Sequence, residues 1–417
     1  MVSFLGRTVL VLAAAPLGYY LLALYCVVDF FRASPKIAGT LPLTDQTPEE
    51  DGVRVLPSAS SARASTGPAV SILKPVCGVD RHAYENFASF CRLDYPEYEL
   101  LFGVADPADP VVAIIRKLQR DFPECRIGLI TPIPAVGNNR KVSVLCRLVE
   151  AASHDLLVMS DSDVRADGNF LTGVIDAFRN ERVAGATCFY RSSGPATLAG
   201  RLNSLGMAME SVPGALSARK LEGSTRFAFG WMMATTKKHL AEIGGWRAMA
   251  DYHSDDFELG NRLARAGYEV DLLREPVEMI FPEETLQAYL RHELRWAIGL
   301  RNVRPAAYWA LLLTQGLPWS FAAAALVWLL HWPKALAAGY LLGYLALRLA
   351  TVWCAGVWGL RDAAVRNNLW LAPLRDAIGF AVWVAGCFCR EIRWRGAAYR
   401  VKDRLLVPVG TPGAAQH

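Results

Sequence analysis

Carboxylates dominate the reactive side chains of this sequence, and their spacing is informative. Asp161 and Asp163, in Met159-Ser160-Asp161-Ser162-Asp163, form a D-x-D; Asp106 stands upstream and the pair Asp255-Asp256 downstream. Carboxylate oxygens suit a hard divalent cation, which can bridge the phosphates of a nucleotide. A D-x-D by itself is a weak signal, because helix N-caps and solvated loops contain it too. Asp255-Asp256 reads equally well as an N-cap. A fourth group, His292-Glu293-Leu294-Arg295-Trp296, lies in a basic amphipathic stretch, 285–304. Helical spacing puts His292, Arg295 and Trp296 on one face. Such a helix can anchor at a membrane surface through snorkelling arginines and an aromatic, close an active site, or do both on different faces.

Short β-branched runs alternating with helical patterns must hold these residues. Strands are expected at 70–73, 99–104, 126–130, 155–159 and 183–189, with helices at 84–91, 111–121, 141–151, 170–179 and 256–266. This order predicts an α/β fold with a mostly parallel sheet covered on both faces. Ligands of such sheets bind at the carboxyl ends of the strands, where Asp106 and the D-x-D fall. No GxGxxG follows the first strand and no GxxxxGK[ST] occurs, so a dinucleotide-binding fold and a P-loop are both disfavoured.

The 417-residue chain is 53% hydrophobic and 20% charged. Soluble domains average roughly 45–50% and about 25%, so the excess must be localised. It lies at the two ends. No charge interrupts 8–28, which is long enough to cross a bilayer and lacks an A-x-A-type cleavage site behind it. A second uncharged run covers 306–330, with Trp319, Trp328 and Trp332 suited to an interfacial belt. A third, 335–360, holds one interior charge, Arg348, which must face protein or snorkel. The segment 369–389 is uncharged only over 377–389, too short to span unaided. Arg7 alone precedes the first run. Arg32, Lys36, Arg54 and Arg63 follow it, Arg361 and Arg366 follow the third, and the tail holds Arg390, Arg393, Arg395, Arg400, Lys402 and Arg404. The positive-inside rule places these following groups in the cytoplasm. Three crossings satisfy it if 369–389 lies in the interface or re-enters; a pair of further crossings is the alternative.

Nine cysteines without a C-x-x-C pair fit a reduced cytosolic domain, and Cys387 and Cys389 are too close for a zinc half-site. The expected organisation is an anchor at 8–31, a flexible linker at 32–69, a catalytic α/β domain at 70–282 and an interface helix at 283–304. Two transmembrane helices follow at 305–360, then an interfacial or re-entrant segment with a basic cytosolic tail at 361–417. The net charge of +5 is modest, and no nucleic-acid partner is expected.

The ordered set Asp106, Asp161-x-Asp163, Asp255-Asp256 and His292-x-x-Arg295-Trp296 resembles the D, DxD, (E/D)D and (Q/R)xxRW elements of family-2-type GT-A glycosyltransferases. More closely, the sequence is similar to the ceramide glucosyltransferase family, family 21. The likeness includes Ser71-Ile72-Leu73-Lys74-Pro75-Val76-Cys77-Gly78-Val79-Asp80, Leu93-Asp94-Tyr95-Pro96, and the tail Ile392-Arg393-Trp394-Arg395 with Tyr399-Arg400. Tyr84-Glu85-Asn86-Phe87-Ala88-Ser89-Phe90-Cys91 and Val158-Met159-Ser160-Asp161-Ser162-Asp163 resemble the bacterial branch linked to hopanoid synthesis. The chain departs from the family at His292, where Gln or Arg is usual.

The resemblance implies a GT-A, Rossmann-like catalytic domain in the cytoplasm, attached to a bacterial inner membrane. The implied reaction is an inverting transfer of glucose or N-acetylglucosamine from a UDP-sugar to the hydroxyl of a membrane lipid, ceramide-like or hopanoid. Asp256 would be the base. Asp163, with Asp161, would hold Mn²⁺ or Mg²⁺ against the diphosphate. Asp106 would accept a hydrogen bond from uracil, and Lys141 would pair with phosphate or the nucleotide. Lys74 is a further candidate for that pocket, unless it is simply a solvated strand-end lysine. Arg295 and Trp296, with His292 beside them, would close over diphosphate and acceptor. A processive polysaccharide synthase shares these motifs but needs more spans after Trp296. A polyprenyl-phosphate sugar transferase needs no strong base, and four intact aspartates argue against a non-enzymatic membrane scaffold.

Overall fold

The computed structural model describes residues 2–32, 67–282, 285–394 and 397–409. Most of the expected linker, with Lys36, Arg54 and Arg63, and Arg395 of the tail lie outside these residues. After α1 (Val2–Arg32), the body opens with β1 (Val70–Val76), α2 (Ala83–Phe90), β2 (Tyr98–Val104), α3 (Val111–Asp121) and β3 (Ile127–Ile130). It continues through α4 (Arg140–Ala151), β4 (Leu156–Ser160), β5 (Val164–Arg165), α5 (Phe170–Ala177) and β6 (Val183–Ser192). Then come α6 (Leu198–Gly206), α7 (Val212–Glu222), β7 (Met232–Thr236), α8 (Lys237–Glu242), α9 (Asp255–Arg265) and β8 (Glu269–Met279).

These strands form one sheet in the order β3-β2-β1-β4-β7-β6-β8-β5. Strands β3, β2, β1 and β4 are mutually parallel, as are β6 and β8, while β7 and β5 run antiparallel to their neighbours. The α/β, mostly parallel expectation is met. Every residue of β1 is buried, which a central strand covered on both faces requires. One face carries α4 and α9 through Val142, Leu145, Leu259 and Leu263. The other carries Phe87, Ile115 and Val174, together with Val27 and Phe30 from the end of α1. Strands β7 and β8 extend the expected set. The run Met232-Met233-Ala234 has no strand signal of its own; pairing with β4 and β6 on either side imposes it.

The remaining chain comprises α10 (Leu286–Val303), α11 (Pro305–Ala310), α12 (Gly316–Leu329), α13 (Lys334–Val352), α14 (Ala363–Asn367) and α15 (Ala372–Phe388). A small antiparallel sheet follows, β9 (Glu391–Trp394), β10 (Ala397–Lys402) and β11 (Leu405–Pro408). Among the described residues three helices are long and apolar enough to cross a membrane: Gly6–Arg32, Lys334–Gly359 and Leu369–Phe388. The second expected span is not one straight helix: Pro305–Thr314 and Gly316–Leu329 meet at a 48° bend. Tyr20 of α1 braces that break, donating to Thr314 O at 3.2 Å and accepting from Gly316 N at 3.1 Å.

The charge-based shortening of the last apolar segment to 377–389 is corrected, because Arg375 and Asp376 are buried against protein partners inside a helix. Asp376 pairs with Arg348 and accepts from Tyr344 Oη at 2.7 Å, so Arg348 faces protein as expected. Arg375 pairs with Glu210 at 2.9 Å and with Glu293 of α10. At the other end, Cys389 O accepts from Arg301 Nη2 of α10 at 2.7 Å. Both ends of α15 are therefore tied to the helix that carries the Arg295-Trp296 motif.

Candidate active site

Three element ends converge beyond the carboxyl edge of the sheet: the end of β4 and the N-termini of α4 and α9. Asn139 joins two of them. Its side-chain oxygen caps α4 by accepting from Val142 N at 3.2 Å, while its Nδ2 donates to Tyr252 O at 2.9 Å and to Asp255 Oδ1 at 3.2 Å. Lys141 then reaches across to Asp161 Oδ1 at 2.7 Å and donates to Gly230 O at 3.1 Å, with Asp255 Oδ2 4.0 Å away. Burial alone would lower its pKa, but Asp161 and Asp255 outweigh that and hold the ammonium charged, above its usual range.

Asp256 sits in the first turn of α9, where the helix N-terminus favours a carboxylate. Its Oδ1 accepts from Phe257 N at 2.7 Å and its Oδ2 from Gly230 N at 3.0 Å. Burial and the neighbouring Asp255 nevertheless push its carboxyl up to about 6, against the pull of Lys141. Gly230 permits this approach: a Cβ there would lie 3.3 Å from both Asp256 Oδ2 and Lys141 Nζ.

The second half of the D-x-D lies among more carboxylates. Burial, then Asp161 and Asp80, raise the Asp163 carboxyl to about 7. Asp80 accepts a hydrogen bond from Ser162 Oγ, so it belongs to the same cluster. Lys74 is not a solvated strand-end lysine. It is fully buried, donates to Asp161 O at 2.8 Å and Ser160 Oγ at 3.2 Å, and lies 3.7 Å from the centre of the Phe90 ring. Burial lowers it to about 7 despite Asp161, Asp163 and Asp80. It thus holds the backbone of the D-x-D from beneath, a supporting position. Asp106 is exposed just after β2, its Oδ1 accepting from Ala108 N at 2.8 Å.

The α10 motif lies over this edge. Trp296, 43% exposed, stacks on Trp231 with centroids 6.1 Å apart, and Trp231 stacks on Phe229 at 4.5 Å. Trp231 is buried and donates from Nε1 to Cys188 O at 2.7 Å, which fixes the platform. His292 lies 5.5 Å from the Trp296 ring, and its Nε2 is 3.5 Å from Arg295 Nη2. Burial, and then Arg295, lower His292 to about 4, so at neutral pH it is an uncharged imidazole. It can act there as a neutral hydrogen-bonding group, as Gln would, but not as a cation. His253, two residues before Asp255, is lowered by burial and then by Arg295. A Cβ on Gly299 of α10 would lie 2.8 Å from the His253 ring, so the helix packs beside the Asp255-Asp256 turn.

The structure therefore brings together Asp161, Asp163, Lys141 and Asp256, with Lys74 below and His292, Arg295 and Trp296 above; Asp106 stands at the exposed rim. Sequence reading missed Asp80, Asn139, Gly230 and Trp231 as parts of this constellation. Asp80 ends a stretch singled out for its likeness alone. The other three act through contacts 26 to 116 residues away, which no local pattern signals. For a divalent cation, Asp161 and Asp163 fit in donor type, and the crowding that raises Asp163 is the repulsion a cation would relieve. Among the described residues no three His, Cys, Asp or Glu side chains form a ready-made metal cluster, so further ligands would have to come from a bound phosphate or water.

The sequence matches the model of Glycosyl transferase family 21 over residues 13–406. The chain belongs to that family. It is 27% identical to ceramide glucosyltransferase 3 of Caenorhabditis elegans over 246 residues, 56% of this chain and 50% of that one. With ceramide glucosyltransferase 1 of the same organism it shares 25% over 242 residues, 55% and 49% of the two chains. With the Candida albicans ceramide glucosyltransferase it shares 32% over 115 residues, 24% and 21%. The family 21 chain thus spans about half the length of the first two relatives. Among solved structures, a mannosyltransferase from Pyrobaculum calidifontis in complex with GDP-Man and Mn²⁺ has a TM-score of 0.49 at 17% identity, covering 92% of this chain and 99% of that one.

Proposed function

We propose that this family 21 chain is a membrane-bound, inverting hexosyltransferase. It would move a sugar from a UDP-sugar to the hydroxyl of a membrane lipid of ceramide or hopanoid type. The observation that carries this reading is Asp256, a carboxylate raised to about 6 and aimed by two backbone N–H groups beside the Lys141–Asp161 pair. A base near 6 is ionised at neutral pH yet basic enough to assist a hydroxyl. Asp256 takes the acceptor proton as the oxygen attacks the anomeric carbon. Lys141 faces the diphosphate with a charge that its acidic neighbours keep fixed. Arg295 adds a charge-assisted hydrogen bond from above, and the Trp296–Trp231–Phe229 stack offers an apolar wall to the acceptor. A divalent cation, Mn²⁺ or Mg²⁺, held by Asp161 and Asp163, would supply positive charge against the departing diphosphate.

In this reading α1, the bent pair α11–α12, and α13 with its continuation to Gly359 cross the bilayer. α15 lies in the interface alongside α10, because both its ends are tied to that helix. In this reading the acceptor enters at the membrane surface, next to the Arg295-Trp296 motif, and the catalytic body lies in the cytoplasm. The test is mass spectrometry of lipids, with UDP release, from membranes containing the full chain and each candidate acceptor. A hexosylated lipid that needs Asp256 supports the reading; no hexosylated product with any acceptor overturns it. Chelation by EDTA should stop turnover and Mn²⁺ or Mg²⁺ restore it. Undiminished turnover of dialysed protein in excess chelator removes the cation from the mechanism.

A further inference from the structure

On the face of the sheet that α1 covers, a cavity of about 180 Å³ opens between the end of α1, the carboxyl end of β6 and the middle of β8. Its walls include Phe31, Trp358 and three arginines, Arg191, Arg274 and Arg361, against a single carboxylate, Glu275. We propose that this cavity binds the phosphate of an anionic phospholipid headgroup. The inference rests on the membrane placement proposed above and not on the transfer chemistry.

The backbone on two sides of the cavity is irregular in a way that serves it. In β8, Cys188 pairs with Leu273 and Tyr190 with Val277, so Arg274-Glu275-Pro276 bulge out opposite the single residue Phe189. Pro276 cannot donate to the ladder, and bulges re-aim side chains at functional places. On the facing wall, Arg361 follows the helical run ending at Gly359 with φ at 55°, the left-handed position that glycine ordinarily fills after a helix. Asp362 holds that turn to the sheet, accepting from Ser192 N at 2.8 Å, next to Arg191. A strained arginine is therefore kept where glycine would relax the chain. Guanidinium groups match phosphate in geometry and charge. Phe31 and Trp358 pack edge to face, 6.1 Å apart, as aromatic residues do at headgroup level. Basic pockets beside membrane helices on the cytoplasmic side take anionic headgroups, at about fivefold in affinity per arginine.

The experiment is native mass spectrometry of the full chain released from micelles of phosphatidylglycerol and phosphatidylcholine in equal amounts. The wild type should retain phosphatidylglycerol preferentially. Arg361→Gly should reduce that preference about fivefold without lowering the melting temperature in phosphatidylcholine, because it relieves the backbone. Adding Arg191→Gln should bring the loss to roughly twentyfold. Glu275→Gln should strengthen retention, an outcome that misfolding cannot produce. Equal retention of the two lipids overturns the proposal. So does an equal loss on Arg366→Gln, which would mean diffuse surface charge. Displacement of the lipid by inorganic phosphate at matched concentration overturns the lipid as the source of the anion.

Discussion

At the strand ends Asp80, Asp161, Asp163, Asp255 and Asp256 share two ammonium groups, Lys74 and Lys141, whereas at the junction with the apolar helices Arg348 and Arg375 are matched by Asp376, Glu210 and Glu293. Both regions bury charge. In the first the carboxylates outnumber the cations, and Asp163 and Asp256 are held well above ordinary carboxyl values. In the second each arginine meets its carboxylate directly, and Arg348 also donates to Met209 O at 2.8 Å. Burying an ion costs several kcal/mol unless a partner compensates it. The junction is compensated within the protein. The strand-end site leaves negative charge uncompensated by protein cations, which the proposed cation and reacting proton would balance.

The largest effect expected from this contrast is at Asp256. Asp256→Asn keeps the shape and the Gly230 contact but cannot accept a proton, so turnover should fall about 10²–10⁴-fold while UDP-sugar binding survives. Transfer at the wild-type rate would show that the crowded carboxylates are not catalytic. At the junction the loss should appear in stability instead. Arg348→Leu strands Asp376 in an apolar setting and should cost about 3–5 kcal/mol in unfolding experiments in detergent. Combining it with Asp376→Leu should restore most of that loss. A double variant as unstable as the single would mean that the pair is not self-contained.

Arg295 and Trp296 stand between these regions. Arg295→Ala should lower turnover about ten- to a hundredfold, since a charge-assisted hydrogen bond is worth roughly 1.5–3 kcal/mol. Trp296→Ala should lower it by a similar factor through loss of the apolar wall, since burying a large apolar side chain is worth about as much. Arg291→Ala, on the exposed side of the same helix, should change it little. Equal small losses in all three would reduce α10 to an anchor. The smallest effect is the pH profile. Protonation of Asp256 removes the base, so kcat/KM should fall tenfold per unit as pH drops below about 6 and stay level just above it. An inflection near 4, the ordinary carboxyl value, would mean that burial does not tune this group.

Much of the catalytic half was legible in the residues. The helix at Val111–Asp121 falls on the bounds its amphipathic pattern sets, and Asp161-x-Asp163 ends a strand as the alternation of elements requires. Other features read falsely in isolation. Lys74 looks like a solvated residue after a short run of strand, until β2 and β4 pair on either side and close over it. Arg375 and Asp376 look like the end of an apolar segment, until Glu210, Glu293 and Arg348 arrive from three other elements.

By itself the sequence determined the alternation of strands and helices, the apolar runs at both ends and the identity of the acidic residues, because periodicity and composition are local quantities. Only the tertiary structure decided which carboxylate is raised, which lysine is structural and which arginine is neutralised. Those outcomes depend on distance and burial among residues far apart in the chain. Asn139, Gly230 and Trp231 owe their importance to the groups that folding brings within about 3 Å of them.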